Sequence, residues 1–382
     1  MLELNLSGSI ADIETDWRAL EEDHFNSLYH SYDWCAAWIE ACDSRVAIVQ
    51  GKFQGKTAFV LPLEIIEVFG GKVARFIAAP HGNISTGLFA ADFADWAAQN
   101  LDQAAVELKK ALKEALKDCA DFLLLENLPL TWRGRRNPLA LLPLTRNQNS
   151  AYQLPLKGSL DETLSQLNAK TRRRKFRIQS KRLGELGGFE YLKSNADLGE
   201  QHRLLDLFFE QKSKRLEALG FKNVFSGPEV KQFFHAILDR SAGRSTGFRF
   251  EMHALRLKGA HENQIAAIAG IARKGDHVLC EFSSIDDGPA RDASPGEFLF
   301  WQMIAGFHDG STVLFDFGIG DQNYKRSWAP CETKHYDAVL PISKAGHIGA
   351  ALHRSQSLAK RVIKSNDRAY RWAQRLRRAL PG

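Results

Sequence analysis

The same order of predicted elements occurs twice along this chain, about two hundred residues apart. The first half contains, in order, helices over 13–22 and 31–42, strands over 45–51, 57–66 and 73–79, a helix over 93–117 and a strand over 122–125. The second half contains helices over 160–186, 201–219 and 229–239, strands over 252–258, 265–272 and 278–283, a helix from Ser294 and a strand over 313–317. Helical spacing of apolar residues and short β-rich runs support these assignments. The repeat predicts a mixed α/β (α+β) protein made of two similar domains.

Composition predicts where these domains begin and end. Residues 129–150 are rich in Pro, Arg, Asn and Thr without apolar periodicity, which is typical of a linker. We therefore expect an N-terminal domain over 1–150, a C-terminal domain over 151–345 and a basic amphipathic helix over 346–382. One side of that helix carries Leu352, Leu358, Val362, Ile363, Trp372 and Leu376. We expect this apolar stripe to pack on the second domain; the alternative is peripheral contact with an anionic membrane surface.

The net charge of +6 conceals two basic clusters. Residues 347–382 contain nine Lys or Arg against one acid, Asp367. Residues 170–182 contain eight Lys or Arg and no acid, on a predicted helix. Such clusters favour an anionic partner, although a solvated helix face would have the same composition.

Several classes of protein are disfavoured by what the sequence lacks. It has no run of about 18 uncharged apolar residues and no basic start followed by an apolar segment, so we expect a cytoplasmic protein. The five cysteines are scattered without a Cys-x-x-Cys pair, so we expect reduced thiols and no metal site. The glycine patterns of hydrolase elbows, Walker A loops and dinucleotide-binding folds are absent.

Two local patterns in the second half predict specific contacts. Ser294 as N-cap, Pro295 in the first turn and Glu297 three residues after the cap predict a capping box. Asp316 lies in an otherwise apolar strand, where an unpaired carboxylate would cost several kcal/mol. We therefore expect Lys325 or Arg326 to pair with it.

The same region resembles a known family. The segment Ser294-Pro295-Gly296-Glu297-Phe298-Leu299, followed by Phe315-Asp316-Phe317-Gly318, Gly320-Asp321 and Tyr324-Lys325, is similar to the BioF2-like or CelD-like acetyltransferases. That family is itself similar to the FemABX peptidyltransferases, which are tandem GNAT folds. The resemblance implies two tandem GNAT-like domains and transfer of an acyl group, usually from a CoA thioester, to an amine or hydroxyl. Several relatives are linked to exopolysaccharide or cell-envelope synthesis, which implies a sugar-like acceptor.

The resemblance also implies roles for individual residues. Acyl transfer needs a base, an oxyanion stabiliser and an acid for the leaving group. By position, Glu281 corresponds to the base of the fourth GNAT strand and Tyr324 to the acid, whereas Lys325 and Asp316 complete the predicted catalytic group. The predicted acceptor-binding residues are Asp321 and Trp328, together with His81 and Asn83 of the polar loop over 80–87.

The usual GNAT phosphate loop is missing, so the sequence is compatible with more than one acyl donor. Its place is taken by 287–296, where Asp287, Asp292 and nearby Glu297 would repel a phosphate. The residues predicted to bind the donor are Arg172, Arg173, Lys175, Arg291, Ser294 and Gly296. Acyl-CoA is the leading donor. The alternatives are a FemABX-type transferase that uses aminoacyl-tRNA and a non-catalytic module that binds an anionic polymer.

Overall fold

The protein forms two compact units. The computed structural model describes residues 2–68, 71–193, 197–244 and 247–365, and the side chains as far as 362. The first unit combines the chain up to Ser150 with the described chain from Thr333 onward, and the second unit is Ala151–Glu332. Residues 333–345, which the sequence analysis placed in the second domain, therefore group with the first unit.

The elements follow one another in this order. The first are β1 (Leu2–Ser7), α1 (Glu14–Glu21), α2 (Tyr32–Cys42), β2 (Val46–Phe53), β3 (Lys56–Val68), β4 (Gly71–Phe76), β5 (Leu88–Phe89), α3 (Ala91–Gln99), α4 (Leu101–Leu116), β6 (Phe122–Pro129), β7 (Thr131–Trp132) and β8 (Arg135–Arg136). Next are β9 (Leu144–Pro155), α5 (Leu160–Ser165), α6 (Ala169–Glu185), β10 (Phe189–Leu192), α7 (Leu198–Ala218), α8 (Pro228–Ser241), β11 (Phe248–Leu257), β12 (Ile265–Lys274), β13 (His277–Ile285), α9 (Pro295–Gly306), β14 (Leu314–Ile319) and α10 (Asn323–Trp328). The last are β15 (Cys331–Pro341) and α11 (Lys344–Ser365).

The two units pair their strands in the same pattern. The first unit has the order β1-β2-β3-β4-β6-β15, in which β4 and β6 are parallel and the other neighbours antiparallel. The second unit has the order β10-β11-β12-β13-β14-β9, in which β13 and β14 are parallel and the other neighbours antiparallel. The predicted repeat of a three-strand meander, a helix and a parallel strand is therefore confirmed.

Local sequence explains where the meander of the first unit turns. Gln54 and Gly55 join β2 to β3, and both have positive φ, at 53° and 78°. Two such residues form the type I′ turn, whose twist matches that of an antiparallel hairpin. The Gln54-Gly55 hairpin signal is thus correct.

The segment predicted as a linker is structured. Between 129 and 150 the chain forms the β7–β8 hairpin, a short 3-10 helix over Pro138–Leu141 and the first part of β9. The prediction failed because this segment bonds residues far away in the sequence: the amide of Val339 donates to the carbonyl of Pro143, and Asn147 Nδ2 donates to the Asp337 carboxylate. Composition alone cannot show such a partner.

The core of the second unit lies around α9. This helix is apolar on all sides, and its buried residues include Phe298, Trp301, Met303 and Ile304. A helix without a polar face must be enclosed. Its apolar neighbours come from β12, β13, β14 and α6, so α9 packs against the strands of this unit.

The terminal helix is described as far as Ser365. The predicted stripe residues Trp372 and Leu376, and the side chain of Ile363, lie outside the described residues. Of the predicted stripe, Leu352, Leu358 and Val362 are described, and all three are exposed. The expectation that they pack on the second domain is therefore wrong; α11 instead contacts β4 and β6 of the first unit.

Candidate active site

The two parallel strands of the second unit diverge after a short pairing. Pairing of β13 with β14 runs from His277↔Leu314 to Leu279↔Asp316, although β13 continues to Ile285. Backbone N–H and C=O groups on diverging strands turn toward the gap instead of toward each other. The edge of β13 after Leu279 can therefore hydrogen-bond a ligand.

The matching opening of the first unit is filled by its own loop. There β4 and β6 pair from Val73↔Phe122 to Arg75↔Leu124. Beyond this point the amide of Ser85 donates to the carbonyl of Asn127 at 3.0 Å, and Asn127 Nδ2 donates to the carbonyl of Gly82 at 2.9 Å. The polar loop over 80–87 thus occupies in the first unit the place that is open in the second.

A β-bulge places Glu281 at the start of the open edge. Gly270 is opposite Phe282, whereas Ile271 is opposite Cys280, so Glu281 is the extra residue of β13. A bulge changes which face of the sheet the following residues meet. Cys280 joins the core around α9, whereas Phe282 stacks on Phe208 of α7 with ring centroids 3.8 Å apart.

Tyr324 of α10 lies beside the same edge. Its ring stacks on Phe300 with centroids 5.3 Å apart, and its hydroxyl lies close enough to the Ser283 side chain of β13 for that side chain to affect the pKa of the phenol. Burial raises the pKa of the Tyr324 phenol above its ordinary value of 10.0. The phenol is therefore protonated at neutral pH and can act as a hydrogen-bond donor or an acid.

Lys325 is a buried amine next to these groups. Only 7% of the residue is exposed, and its Nζ donates to the carbonyl of Ile319 at 2.6 Å. Burial lowers the pKa of Lys325 from 10.5 to about 8, while the nearby Cys280, Asp316 and Glu281 act in the opposite direction. A lysine with this pKa carries its charge at pH 7 and can lose it within the range in which enzymes work.

Asp316 is held by different partners from those predicted. Its carboxylate accepts hydrogen bonds from the Gln153 side chain at 3.1 Å and from the amide of Gly318 at 2.7 Å. Arg326 instead pairs with Asp321, and Lys325 donates to Ile319. The predicted ion pair is therefore wrong, because Lys325 bonds the backbone carbonyl of Ile319 at the end of β14 and Arg326 bonds the Asp321 carboxylate. Asp316 remains close enough to influence the charge of Lys325.

Three residues of this region were missed by the sequence analysis. Lys212 of α7 donates to the backbone carbonyl of Ser283 at 3.2 Å. Ser283 in turn contacts Tyr324, and Cys280 lies in the charge environment of Lys325. Burial raises the pKa of Cys280 to about 12, so it remains a thiol at neutral pH. In the sequence, the polar residues that follow Cys280 in its strand were a signal for Ser283. The contact of Lys212 gave no such signal, because it depends on how α7 packs.

The N-terminus of α9 has no capping box. Ser294 has φ of 52° and makes no side-chain capping hydrogen bond. Glu297 instead pairs with Arg172 and, at 3.2 Å, with Lys175 of α6. The buried guanidinium of Arg172 lies 4.0 Å from the ring centroid of Trp328 and needs an anion nearby. The capping prediction is wrong because this tertiary ion pair takes the Glu297 carboxylate.

The other residues predicted to bind the donor are dispersed around this region. Arg173 pairs with Asp161 at 2.7 Å on the surface. Gly296 approaches Ile285 so closely that a Cβ would lie 2.7 Å from its Cγ2. Arg291 lines a cavity of about 480 Å³ beyond the end of β13, formed by Leu207, Glu210, Gln211, Lys214, Arg215, Ala218, Leu219, Ile285, Asp286 and Asp287. Among the residues predicted to bind the donor, Arg291 thus lies in the wall of this cavity.

The predicted acceptor residues do not form one group. His81 is 6% exposed in the first unit, where burial lowers its pKa to about 4, and Asn83 hydrogen-bonds the Tyr29 hydroxyl. In the second unit Asp321 accepts from Tyr152 at 3.2 Å, and Trp328 is buried. The structure brings Glu281, Tyr324, Lys325 and Asp316 into one region, whereas Trp328 belongs to the Arg172 cluster.

Comparison with known proteins agrees with this geometry. Residues 170–326 match the sequence profile of a family described as the acetyltransferase (GNAT) domain. Residues 170–326 are therefore similar to a GNAT acetyltransferase domain. The matched region extends from α6 to α10 and therefore includes β13, its open edge and both Tyr324 and Lys325. No curated protein matches the chain in sequence.

Solved structures share the fold over both units. The crystal structure of FemX is 13% identical, with a TM-score of 0.59 over 88% of this chain and 97% of that chain. The C-terminal domain of a putative lysylphosphatidylglycerol synthetase from Agrobacterium fabrum is 12% identical, with a TM-score of 0.54 over 92% of this chain and 97% of that chain. At such low identity the likeness concerns the fold alone. It supports the prediction of two tandem GNAT-like units.

Two further observations bear on the predicted classes. Among the described helices, none combines the length and apolarity needed to cross a bilayer. Within the described residues, no group of three or more His, Cys, Asp or Glu side chains is arranged to hold a metal ion.

Proposed function

We propose that the GNAT domain transfers an acyl group from acyl-CoA to an amine or hydroxyl, in the opening between β13 and β14. The observation that carries this proposal is that Glu281, Tyr324 and Lys325 surround the open edge of β13. A sugar, exopolysaccharide or cell-envelope precursor in the cytoplasm is the acceptor class that we propose, by resemblance to the CelD-like acetyltransferases.

The proposed mechanism assigns one role to each side chain. The acceptor amine or hydroxyl attacks the thioester carbonyl, and the Glu281 carboxylate removes its proton. The Lys325 ammonium stabilises the negative charge on the carbonyl oxygen as the tetrahedral intermediate forms. When the carbon–sulfur bond breaks, the Tyr324 hydroxyl donates a proton to the leaving thiolate. Lys325 suits its role because one N–H is bound to Ile319 and two remain for substrate.

Binding and turnover of acyl-CoA test the proposal. Calorimetric titration with acetyl-CoA and longer acyl-CoAs should show saturable binding, and amine or sugar acceptors should then be acylated. Tyr324→Phe should lower kcat about a hundredfold or more with little change in KM, because it removes an acid and not a binding group. Tyr191→Phe is the matched control, since that hydroxyl bonds His253 instead of the β13 edge.

The outcomes separate an enzyme from a binding protein. Failure to bind any acyl-CoA would remove the proposed donor. Unchanged function in folded Tyr324→Phe and Lys325→Ala variants would instead favour a non-catalytic module for an anionic polymer.

A second candidate donor, an aminoacyl-tRNA, is favoured by the N-terminus of α9. Backbone N–H groups at a helix N-terminus normally attract the pyrophosphate of a nucleotide cofactor. Here the Glu297 carboxylate lies at that end, held by Arg172 and Lys175. Arg174 and Arg177 of the neighbouring α6 are exposed and can meet a larger polyanion.

Salt dependence distinguishes the two donors. If tRNA binds α6, affinity should fall steeply as salt rises, and Arg174→Glu with Arg177→Glu should weaken it at least tenfold. Lys110→Glu with Lys113→Glu makes the same charge change on α4 of the first unit and should have much less effect. Undetectable or salt-insensitive binding would reject the tRNA donor and leave the acyl-CoA proposal untouched.

A further inference from the structure

The terminal helix α11 is fixed to the first unit by a face of small residues. Gly349 lies so near the Phe122 ring that a Cβ would approach it to 2.6 Å, and Ala350 is buried. His353 lies 3.4 Å from the buried carboxylate of Asp337. Only one orientation of the helix satisfies these contacts. The side that faces away from the sheet is therefore defined.

That outer side is apolar and exposed. Ile348 is 67% exposed, Leu352 and Leu358 are each 51% exposed, and Val362 is 57% exposed. At 100° per residue these four positions fall within an arc of about 120°. Few soluble proteins leave a row of large aliphatic side chains in water along several turns of one helix. We call these four residues the outer stripe.

The apolar surface continues beside the helix. A groove of about 420 Å³ runs between α11 and the sheet of the first unit. Ile348 and Leu352 of the outer stripe form one wall, and Val68, Val73 and Leu124 belong to the other. The exposed apolar area is therefore wider than the helix alone.

The charges of α11 indicate what covers this surface. The helix contains no Asp or Glu, and it carries Lys344, Arg354, Lys360, Arg361 and Lys364. The carboxyl groups near it, Asp121, Glu126 and Asp337, lie on the side of the sheet. An apolar stripe flanked by cations without acids matches the interface of an anionic bilayer, where side chains enter the acyl boundary and cations meet phosphates.

We propose that α11 attaches the protein peripherally to membranes rich in anionic phospholipid, with the outer stripe inserted below the headgroups. The helix is about 33 Å long and would lie in the plane of the membrane. The proposal concerns the first unit and does not depend on which acyl donor the GNAT domain uses.

Vesicle flotation of the full-length protein tests insertion of the stripe. The protein should float with vesicles of phosphatidylcholine that contain about 30% phosphatidylglycerol. At least tenfold less protein should float with vesicles of pure phosphatidylcholine. Ile348→Asn with Leu358→Asn should reduce binding about a hundredfold, since each side chain contributes about a tenfold effect. Val106→Asn is the control, because Val106 of α4 is 66% exposed outside the stripe.

Charge reversal tests the electrostatic part. Lys360→Glu with Arg361→Glu should weaken binding more than tenfold in low salt and much less in high salt. The α4 pair Lys110→Glu with Lys113→Glu makes the same change in net charge and should leave most binding intact. Circular dichroism of each variant shows whether the fold is retained.

Three results would overturn the proposal. The first is absence of binding to anionic vesicles, and the second is equal binding by the wild type and the folded Ile348/Leu358 variant. The third is a concentration-dependent dimer in sedimentation that the same variant abolishes, because the outer stripe would then meet a second copy of the chain.

Discussion

Replacing Lys325 by methionine should make the protein more stable at neutral pH while removing its activity. The ordinary lysine pKa is 10.5, whereas burial lowers that of Lys325 to about 8. A displacement of this size means that keeping the ammonium buried costs about 3 kcal/mol at pH 7. Methionine fills similar space without charge, although the hydrogen bond to Ile319, worth about 1–2 kcal/mol, is lost. We expect a net gain of about 1–2 kcal/mol in the free energy of unfolding.

The pH dependence of this gain has a definite sign. Between pH 8 and 10.5 the unfolded chain binds the proton of Lys325 more tightly than the folded chain does, so wild-type stability rises with pH in this window. At pH 10 the remaining cost is about 1 kcal/mol. The variant should therefore lose its advantage by that pH, and it should then be equal to or less stable than the wild type.

Urea unfolding at pH 7 and pH 10 measures both quantities. Lys181→Met is the matched control, because the Lys181 side chain is 80% exposed and its removal should give no comparable pH-dependent difference. A stability difference between wild type and Lys325→Met that is the same at both pH values would refute the reasoning. A gain in stability accompanied by loss of acyl transfer would show that the buried charge is retained for function at the expense of stability.

Two other substitutions test the ion pairs and buried groups. Glu297→Gln should lower the free energy of unfolding by about 2 kcal/mol, because the buried Arg172 loses its anion. Asp161→Asn, which breaks an ion pair on the surface, should change it by less than about 0.5 kcal/mol. Equal effects of the two substitutions in chemical denaturation would show that the buried ion pair stabilises the fold no more than the exposed one. His81→Gln should remove part of the loss of stability that the wild type shows as the pH falls. Because burial lowers the His81 pKa to about 4, the unfolded chain gains the proton first, and the wild type should lose about 2 kcal/mol relative to the variant between pH 7 and pH 5. Parallel unfolding profiles across that range would argue against a buried neutral imidazole.

Most elements could be predicted from the sequence because their patterns are local. The strands around Gln54-Gly55 and the helix starting at Pro295 follow from turn residues and apolar periodicity. Errors arose where a partner lies far along the chain. The predicted helix over 93–117 is interrupted at Asn100, and β9 and β15 were missed because few local features distinguish them from loops.

The candidate site shows the same division. The positions of Glu281, Tyr324 and Lys325 were identified from a resemblance in the second half, and the structure brings them together at one strand edge. The contribution of Lys212 was not visible, since nothing near it in sequence indicates a contact with β13. For Glu297 the sequence predicted a local capping contact, whereas in the structure its carboxylate pairs with the distant Arg172.

The sequence by itself determined the repeated order of strands and helices, because periodicity, turn residues and helix boundaries depend on neighbouring residues. Only the tertiary structure decided which carboxylate meets which cation, which of two equivalent strand openings is filled, and which side of α11 is left in water. Those outcomes depend on contacts between residues distant in the chain, where the cost of burying a charge or an apolar side chain is set by the packing around it.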